Sequence, residues 1–234
     1  MQSLKSCQNE LSKAGYIKSI NQLKRLVKQL GWKWKRYRKS LRLERDEELF
    51  RYFELEIKEL EKEVLSKKID LLYFDGSGFN LNPNQPYGWL PRGQNITLPA
   101  LRGKGWTVLA ALNTASEKII EAQAYEGAAN SECIILFFDA LVKTIKKKTV
   151  VILDNASIHK SKAVKSKEIE WRKKGLFFQF IPAYCPELNK IEILWKQMKH
   201  FWLRPEDYIS KDALYQAIFR CIQNFGSIYR ISFK

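Results

Sequence analysis

The order of apolar segments predicts an α/β fold, a mixed five-stranded sheet flanked by helices with a small all-helical region ahead of it. Three observations carry this. From residue 69 onward three strand-like segments follow one another, and after them helical segments alternate with strands. The second and third are joined by the turn-like Asn113-Thr114-Ala115-Ser116, which marks an antiparallel hairpin. Before residue 69 the periodic segments have helical spacing. At 234 residues and 45% hydrophobic content the chain can bury one substantial core with a small appendage.

Residues 1 to about 31 read as a short helix, a turn at Ala14-Gly15 and a second helix. Ser19 with Gln22 three residues later has the form of a capping box. Ile20, Leu23, Val27 and Leu30 then line one face, and Gly31 is placed to stop the helix. Two short helices around a glycine-containing turn suit a helix-turn-helix, whose second helix would offer Asn21, Lys24, Arg25 and Lys28 to a DNA groove. An ordinary helical hairpin has the same pattern. The stretch Trp32-Lys33-Trp34-Lys35-Arg36-Tyr37-Arg38-Lys39 has no period and reads as a basic, aromatic linker, with Lys33, Lys35, Arg36 and Arg38 suited to a phosphate backbone. A mixed-charge helix over about 45–66 follows, with Leu49, Phe53, Ile57, Leu60 and Val64 on one stripe.

The first strand is expected over 69–75, the hairpin over 106–113 and 118–125 after a Pro/Asn/Gly-rich loop. A helix over 131–145 buries Ile134, Ile135, Phe138, Leu141 and Val142. A fourth strand at 149–154, a basic helix at 160–174, a fifth strand at 176–181 and helices at 189–202 and 211–224 complete the chain. The expected organisation is a helical DNA-binding region (1–31), linker and connecting helix (32–68), catalytic domain (69–205) and C-terminal helical extension (206–234).

Composition excludes several classes. No apolar stretch approaches the length of a membrane span, and Met1-Gln2-Ser3-Leu4-Lys5 lacks the apolar core of a signal peptide. Four scattered cysteines without a Cys-x-x-Cys pair, and two histidines, argue against structural zinc and for free thiols in a reducing cytoplasm. The net charge is +16, and residues 1–45 hold thirteen Lys or Arg against two acids, eleven of those sixteen charges. Cations so concentrated, with aromatics between them, suit a polyanion, because each phosphate neutralised releases condensed counterions.

On this cationic chain three acids stand out. Asp75 ends the run Ile69-Asp70-Leu71-Leu72-Tyr73-Phe74, Asp154 ends Thr149-Val150-Val151-Ile152-Leu153, and Glu192 lies just inside the helix after Pro186. Carboxylates at neighbouring strand ends converge, and one from a crossing helix can close the pocket. Hard oxygen ligands so grouped suit two Mg²⁺ ions, the cofactor of phosphodiester transfer. Each acid also has a plain structural account: Asp75 as a cap before Gly76-Ser77-Gly78, Asp154 as a helix-start signal, Glu192 as an i+4 partner of Lys196. Singly those accounts lead; the order of strand end, strand end and helix start favours the metal reading. Asp70, Asp139 and Glu187 are nearby decoys, at the far strand end, within a helix and in a loop.

The stretches Leu72-Tyr73-Phe74-Asp75-Gly76-Ser77-Gly78-Phe79, Ile152-Leu153-Asp154-Asn155-Ala156-Ser157-Ile158-His159 and Pro182-Ala183-Tyr184-Cys185-Pro186-Glu187-Leu188-Asn189-Lys190-Ile191-Glu192-Ile193-Leu194-Trp195 resemble the three acidic motifs of DDE transposases. The resemblance is greatest to the bacterial insertion-sequence six-thirty branch of the mariner superfamily, and spans about residues 16–225. It implies a ribonuclease H-like core and two Mg²⁺ ions, with Mn²⁺ as a substitute. It also implies a homodimer acting on double-stranded DNA, at the terminal inverted repeats and a target, in the nucleoid. The activity implied is cleavage by water, then attack of the freed 3′-hydroxyl on target DNA. By matched position Asp75, Asp154 and Glu192 are the metal-binding acids, while Asn155 and His159 steady the second acid's loop or touch a phosphate. For His159 a solvent-facing helix-start histidine is the alternative. Tyr87, Gly88, Trp89, Pro91, Arg92 and Gly93 resemble a family loop that meets DNA or a second subunit, and a packed surface loop is the ordinary alternative. Trp195 reads as core, sharing a helix face with Leu188, Ile191 and Met198.

Three departures stand out. Gly76 replaces an acid common after the first Asp, and Lys190 a usual Pro. One helix-turn-helix unit precedes the linker where the family usually has two. The last leaves a truncated, non-mobile DNA-binding remnant as the alternative function. A cellular ribonuclease H shares the core, but the basic N-terminal segment and the Pro-Glu-Leu-Asn motif speak against it.

Overall fold

The computed structural model describes residues 4–33, 44–84, 91–93, 97 and 99–233. The chain forms two compact units, Met1–Ser40 and Leu41–Lys234.

The first unit holds α1 (Leu4–Lys13) and α2 (Ile20–Gln29). Gly15 takes the turn between them at φ +84°, a left-handed conformation open to glycine because it has no Cβ. The capping box closes as the spacing requires: Ser19 N donates to Gln22 Oε1 at 2.8 Å and Gln22 N to Ser19 Oγ at 3.2 Å. Of the expected apolar face only Leu23 is buried, and Ile20 and Leu30 stay exposed. Asn21, Lys24, Arg25, Lys28 and Lys33 are exposed as well. Lys35, Arg36 and Arg38 lie outside the described residues, as do Tyr87, Gly88 and Trp89.

In the second unit α3 (Glu47–Leu65) starts on Asp46, whose carboxylate accepts from Glu48 N and Leu49 N. Ile57 is buried, and Phe50, Phe53, Leu60 and Val64 pack beside it. Leu49, expected on that stripe, is 41% exposed, and Phe50 takes its place.

The sheet comprises β1 (Asp70–Phe79), β2 (Trp106–Asn113), β3 (Lys118–Glu126), β4 (Thr149–Leu153) and β5 (Leu176–Phe180), ordered β3-β2-β1-β4-β5. β1 to β3 form an antiparallel meander, and β1, β4 and β5 run parallel. α4 (Ser131–Thr144) leads into β4, and α5 (Lys162–Lys173) crosses from β4 to β5. Asn130 caps α4 and Ser161 caps α5, each through its side-chain oxygen. After β5 come a 3-10 turn (Pro186–Leu188), α6 (Ile191–Gln197), a π-helical turn (Met198–Trp202), another 3-10 turn (Pro205–Tyr208) and α7 (Lys211–Gln223).

Each strand of the sheet centre is apolar on both faces because helices cover both. Leu72 and Phe74 of β1 and Val151 and Leu153 of β4 pack with Phe137, Phe138 and Leu141 of α4 and Trp171 of α5. Leu71 and Tyr73, with Val150 and Ile152, face the opposite side, in one core with Ile57 of α3, Leu194 of α6 and Ile218 of α7. The segment after residue 205 is thus integral to the main core.

β1 does not stop at Asp75 but runs four residues further, because antiparallel pairing with β2 continues from Tyr73↔Leu112 to Phe79↔Trp106. Gly76 lies within this stretch, and a Cβ there would sit 2.8 Å from Leu109 Cδ2, so a side chain at 76 crowds the neighbouring strand.

Candidate active site

Register and pleat bring the acids together. The parallel pairing of β1 with β4 ends at Tyr73↔Ile152. Asp75 and Asp154 each stand two residues beyond that pair. Side chains alternate faces with period 2, so both point to the side that Tyr73 and Ile152 face, where α6 packs. α6 delivers Glu192 from its first turn. The three carboxylates line one cleft of about 250 Å³, with Asn155, Asn189 and Tyr184 also on its wall.

Asp75 is the most enclosed of the three. Its Oδ2 accepts from the indole Nε1 of Trp195 at 3.1 Å. Burial, then the Glu192 carboxylate and more weakly Asp154, push its pKa up to about 7, against the opposing Gly76 N–H and His159. Asp154 behaves oppositely. The His159 ring, with Nδ1 2.8 Å from Asp154 Oδ1, holds this carboxyl below the usual range, helped by the Ala156 N–H at 3.0 Å. Glu192 is on the exposed lip, yet the surrounding protein pushes its carboxyl up, with Lys199 opposing and Asp154 adding. Lys199, half-buried on the π-helical turn, has its pKa lowered by burial while Glu192 and Asp75 pull it up.

The decoys have structural partners elsewhere. Asp70 pairs with Lys147 at 3.0 Å, Asp139 accepts from Trp171 Nε1 at 2.8 Å, and Glu187 faces Arg45 at 3.7 Å. His159 is no solvent-facing residue: it is 6% exposed and meets the Phe74 ring edge-on at 5.5 Å. Asn155 is exposed on the cleft wall. Arg92 is exposed in its loop and is not among the cleft residues. Leu188, Ile191, Trp195 and Met198 are buried together as their shared face requires, yet Trp195 also touches Asp75.

Sequence reasoning passed over two polar residues. Asn189 is 3% exposed, donates Nδ2–H to the carbonyl of Phe74 at 2.9 Å, and accepts the Glu192 N–H on its own carbonyl at 3.1 Å. It therefore ties the helix start that carries Glu192 to the strand residue before Asp75. Its place in the Pro-Glu-Leu-Asn motif was the available signal. Lys199 follows Glu192 by seven residues, two turns on and hence on the same helix face.

Whether these residues suit hard divalent cations can be tested on the donors. Three carboxylates share the cleft, and Asn189 Oδ1 is buried with no hydrogen-bond partner among the described residues. Carboxylate and amide oxygens are the ligand types Mg²⁺ takes. Among the described residues, no group of three or more His, Cys, Asp or Glu side chains is placed so that it could hold a metal ion. Two of the acids are instead turned to protein donors, Asp75 to Trp195 and Asp154 to His159. The donor set fits in kind, and a cation would offset both the burial of the Asp75 carboxylate and its repulsion by Glu192 and Asp154, which raise it.

The same architecture recurs in solved structures. A Mos1 transposase paired-end complex with its left transposon end superposes with a TM-score of 0.56 at 15% identity, over 98% of this chain and 76% of that one. A Mos1 mariner paired-end complex with Mn gives 0.54 at 15% identity, and one with Mg gives 0.51 at 15%, both with 98% and 76% coverage. No curated protein sequence matches. The structural likeness defines the class: a ribonuclease H-like α/β fold, a mixed five-stranded sheet flanked by helices. Residues 70–215 match the family model of the DDE superfamily endonucleases, and the chain belongs to that family.

Proposed function

We propose that this chain is a DDE transposase of the insertion-sequence six-thirty branch, cleaving DNA at element ends and joining the freed 3′-hydroxyl to target DNA. The observation that carries the reading is the convergence of Asp75, Asp154 and Glu192, from two strands and a helix, on one cleft. The motif resemblance and the +16 charge support DNA as the substrate. The proposed DNA contacts are Asn21, Lys24, Arg25, Lys28, Lys33, Lys35, Arg36, Arg38 and Arg92, with a homodimer on DNA as the working assembly.

Bound Mg²⁺ or Mn²⁺ would supply Lewis-acid charge neutralisation at the scissile phosphate and a water acidic enough to attack at neutral pH. The chain's own residues do the rest. Asp75, Asp154 and Glu192 offer the oxygens. Trp195 holds Asp75 by its indole N–H, and His159 with the Ala156 N–H hold Asp154. Lys199, whose ammonium lies over the Phe79 ring at 5.3 Å and feels the Glu192 and Asp75 carboxylates, is a cation beside the cleft that would meet a phosphate oxygen. Asn155 lines the path beside the second acid.

Purified protein with Mg²⁺ should nick or join duplex DNA, and Asp154→Asn should abolish this while leaving DNA binding intact. Full activity in that variant removes Asp154 from the site. DNA binding by the wild type without any metal-dependent cleavage would favour the DNA-binding remnant. Preference for RNA–DNA hybrids over duplex DNA would favour a ribonuclease H.

A further inference from the structure

We infer that Tyr184 is a stacking platform for an unpaired nucleobase at the mouth of the acidic cleft, an assignment that rests on the nucleic-acid reading above. Tyr184 sits in the turn between β5 and the Pro186–Leu188 turn, with φ +62°. That left-handed conformation brings Cβ against the following carbonyl, and glycine or asparagine is its usual occupant. The turn therefore carries a bulky aromatic where backbone sterics favour a residue without one.

Packing does not account for the ring. It is 45% exposed, and among the described residues it makes no side-chain hydrogen bond and no aromatic contact. The burial in this segment is done by its neighbours Ile181 and Cys185, 1% and 2% exposed. Yet Tyr184 is on the wall of the cleft that holds Asp75, Asp154 and Glu192, the one aromatic among its described residues. Other exposed aromatics, such as Phe201 and Tyr52, are not on that wall.

A flat apolar face beside the place where a phosphodiester would lie matches one part of the substrate, the π face of a base. A base within intact duplex has both faces covered by its neighbours, so only an unpaired or extruded base can present one to the ring. Stacking of this kind tolerates any base identity. The platform would hold the nucleotide next to the scissile phosphate without reading its sequence.

The test uses the full chain in Mg²⁺ with two probes, a fully paired duplex and the same duplex carrying one bulged 2-aminopurine. Wild type should prefer the bulged probe by roughly tenfold, the size expected of one base–aromatic stack, and should quench 2-aminopurine fluorescence. Tyr184→Phe should keep the preference and the quenching, and Tyr184→Ala should lose both while still binding the paired duplex. Tyr184→Gly should lose them too, yet melt at or above the wild-type temperature, because glycine is at ease at this φ. A wild type that binds the paired duplex but shows no preference overturns the platform alone, as does an unchanged preference in Tyr184→Ala. A wild type that binds neither probe overturns the nucleic-acid reading and the platform with it.

Discussion

Trp195 packs edge-on against Phe79 with ring centroids 6.0 Å apart while its indole N–H reaches Asp75, so one side chain both fills the core and aims a carboxylate. Trp195→Phe retains most of the packing and removes the donor. Since groups that orient metal-site ligands are typically worth about 10- to 100-fold, DNA cleavage should fall by that order while the circular dichroism spectrum stays unchanged. Asp75 also makes stability depend on pH. Its folded pKa, about 7, lies above the ordinary carboxylate value, so the folded state holds a proton that the unfolded state has released. That contribution is complete below about pH 4 and is lost as pH rises through about 7. Asp154 works in the other sense, stabilising above its unfolded pKa and less so as pH falls through its lowered value. Melting curves of the metal-free protein should therefore show stability falling between about pH 4 and 7, and Asp75→Asn should flatten much of that fall. At this scale the sequence was legible in part. The acids and His159 stood in readable motifs, whereas the Trp195–Asp75 contact joins residues 120 positions apart and had no local trace.

Among the elements, helix starts were the most readable, because capping is a contact between residues two or three positions apart. Ser19→Ala removes one side of a closed capping box and should cost about 0.5–2 kcal/mol in the stability of α2, read as reduced helical signal on heating. Strand ends were less readable. The end of β1 depends on its partner: β4 stops at Leu153, but β2 pairs on to Phe79. Gly105 shows how tightly that extension is held, since a Cβ there would come within 2.2 Å of the Phe79 carbonyl oxygen. Gly105→Ala should force the strands apart at a cost of about 1–3 kcal/mol, seen as a lower denaturation midpoint. The helix expected over 189–202 is two pieces, α6 and a π-helical turn, a change of winding that apolar spacing does not reveal.

For the whole molecule, charge and topology set the terms. Eleven of the sixteen net positive charges lie in the first 45 residues, so association with DNA should weaken steeply with salt. Replacing Lys24, Arg25 and Lys28 by Ala should weaken binding across DNA sequences. It should also make the plot of log affinity against log salt shallower by about 0.9 for each phosphate that is no longer neutralised. An unchanged slope would remove these side chains from the DNA interface. No helix among the described residues is long and apolar enough to cross a membrane.

The sequence by itself determined the α/β class, the order of strands and helices and the capping of α2, and it singled out three acids at two strand ends and a helix start. All of these depend on residues close together in the chain or on the period of apolar positions. Only the tertiary structure decided that Asp75 and Asp154 share a face with α6, that Trp195, Asn189 and Lys199 belong beside them, and that Tyr184 stands bare at the rim. Those facts follow from strand register and helix docking. Register depends on pairings between distant segments, and shifting it by one residue would turn every side chain of a strand to the other face.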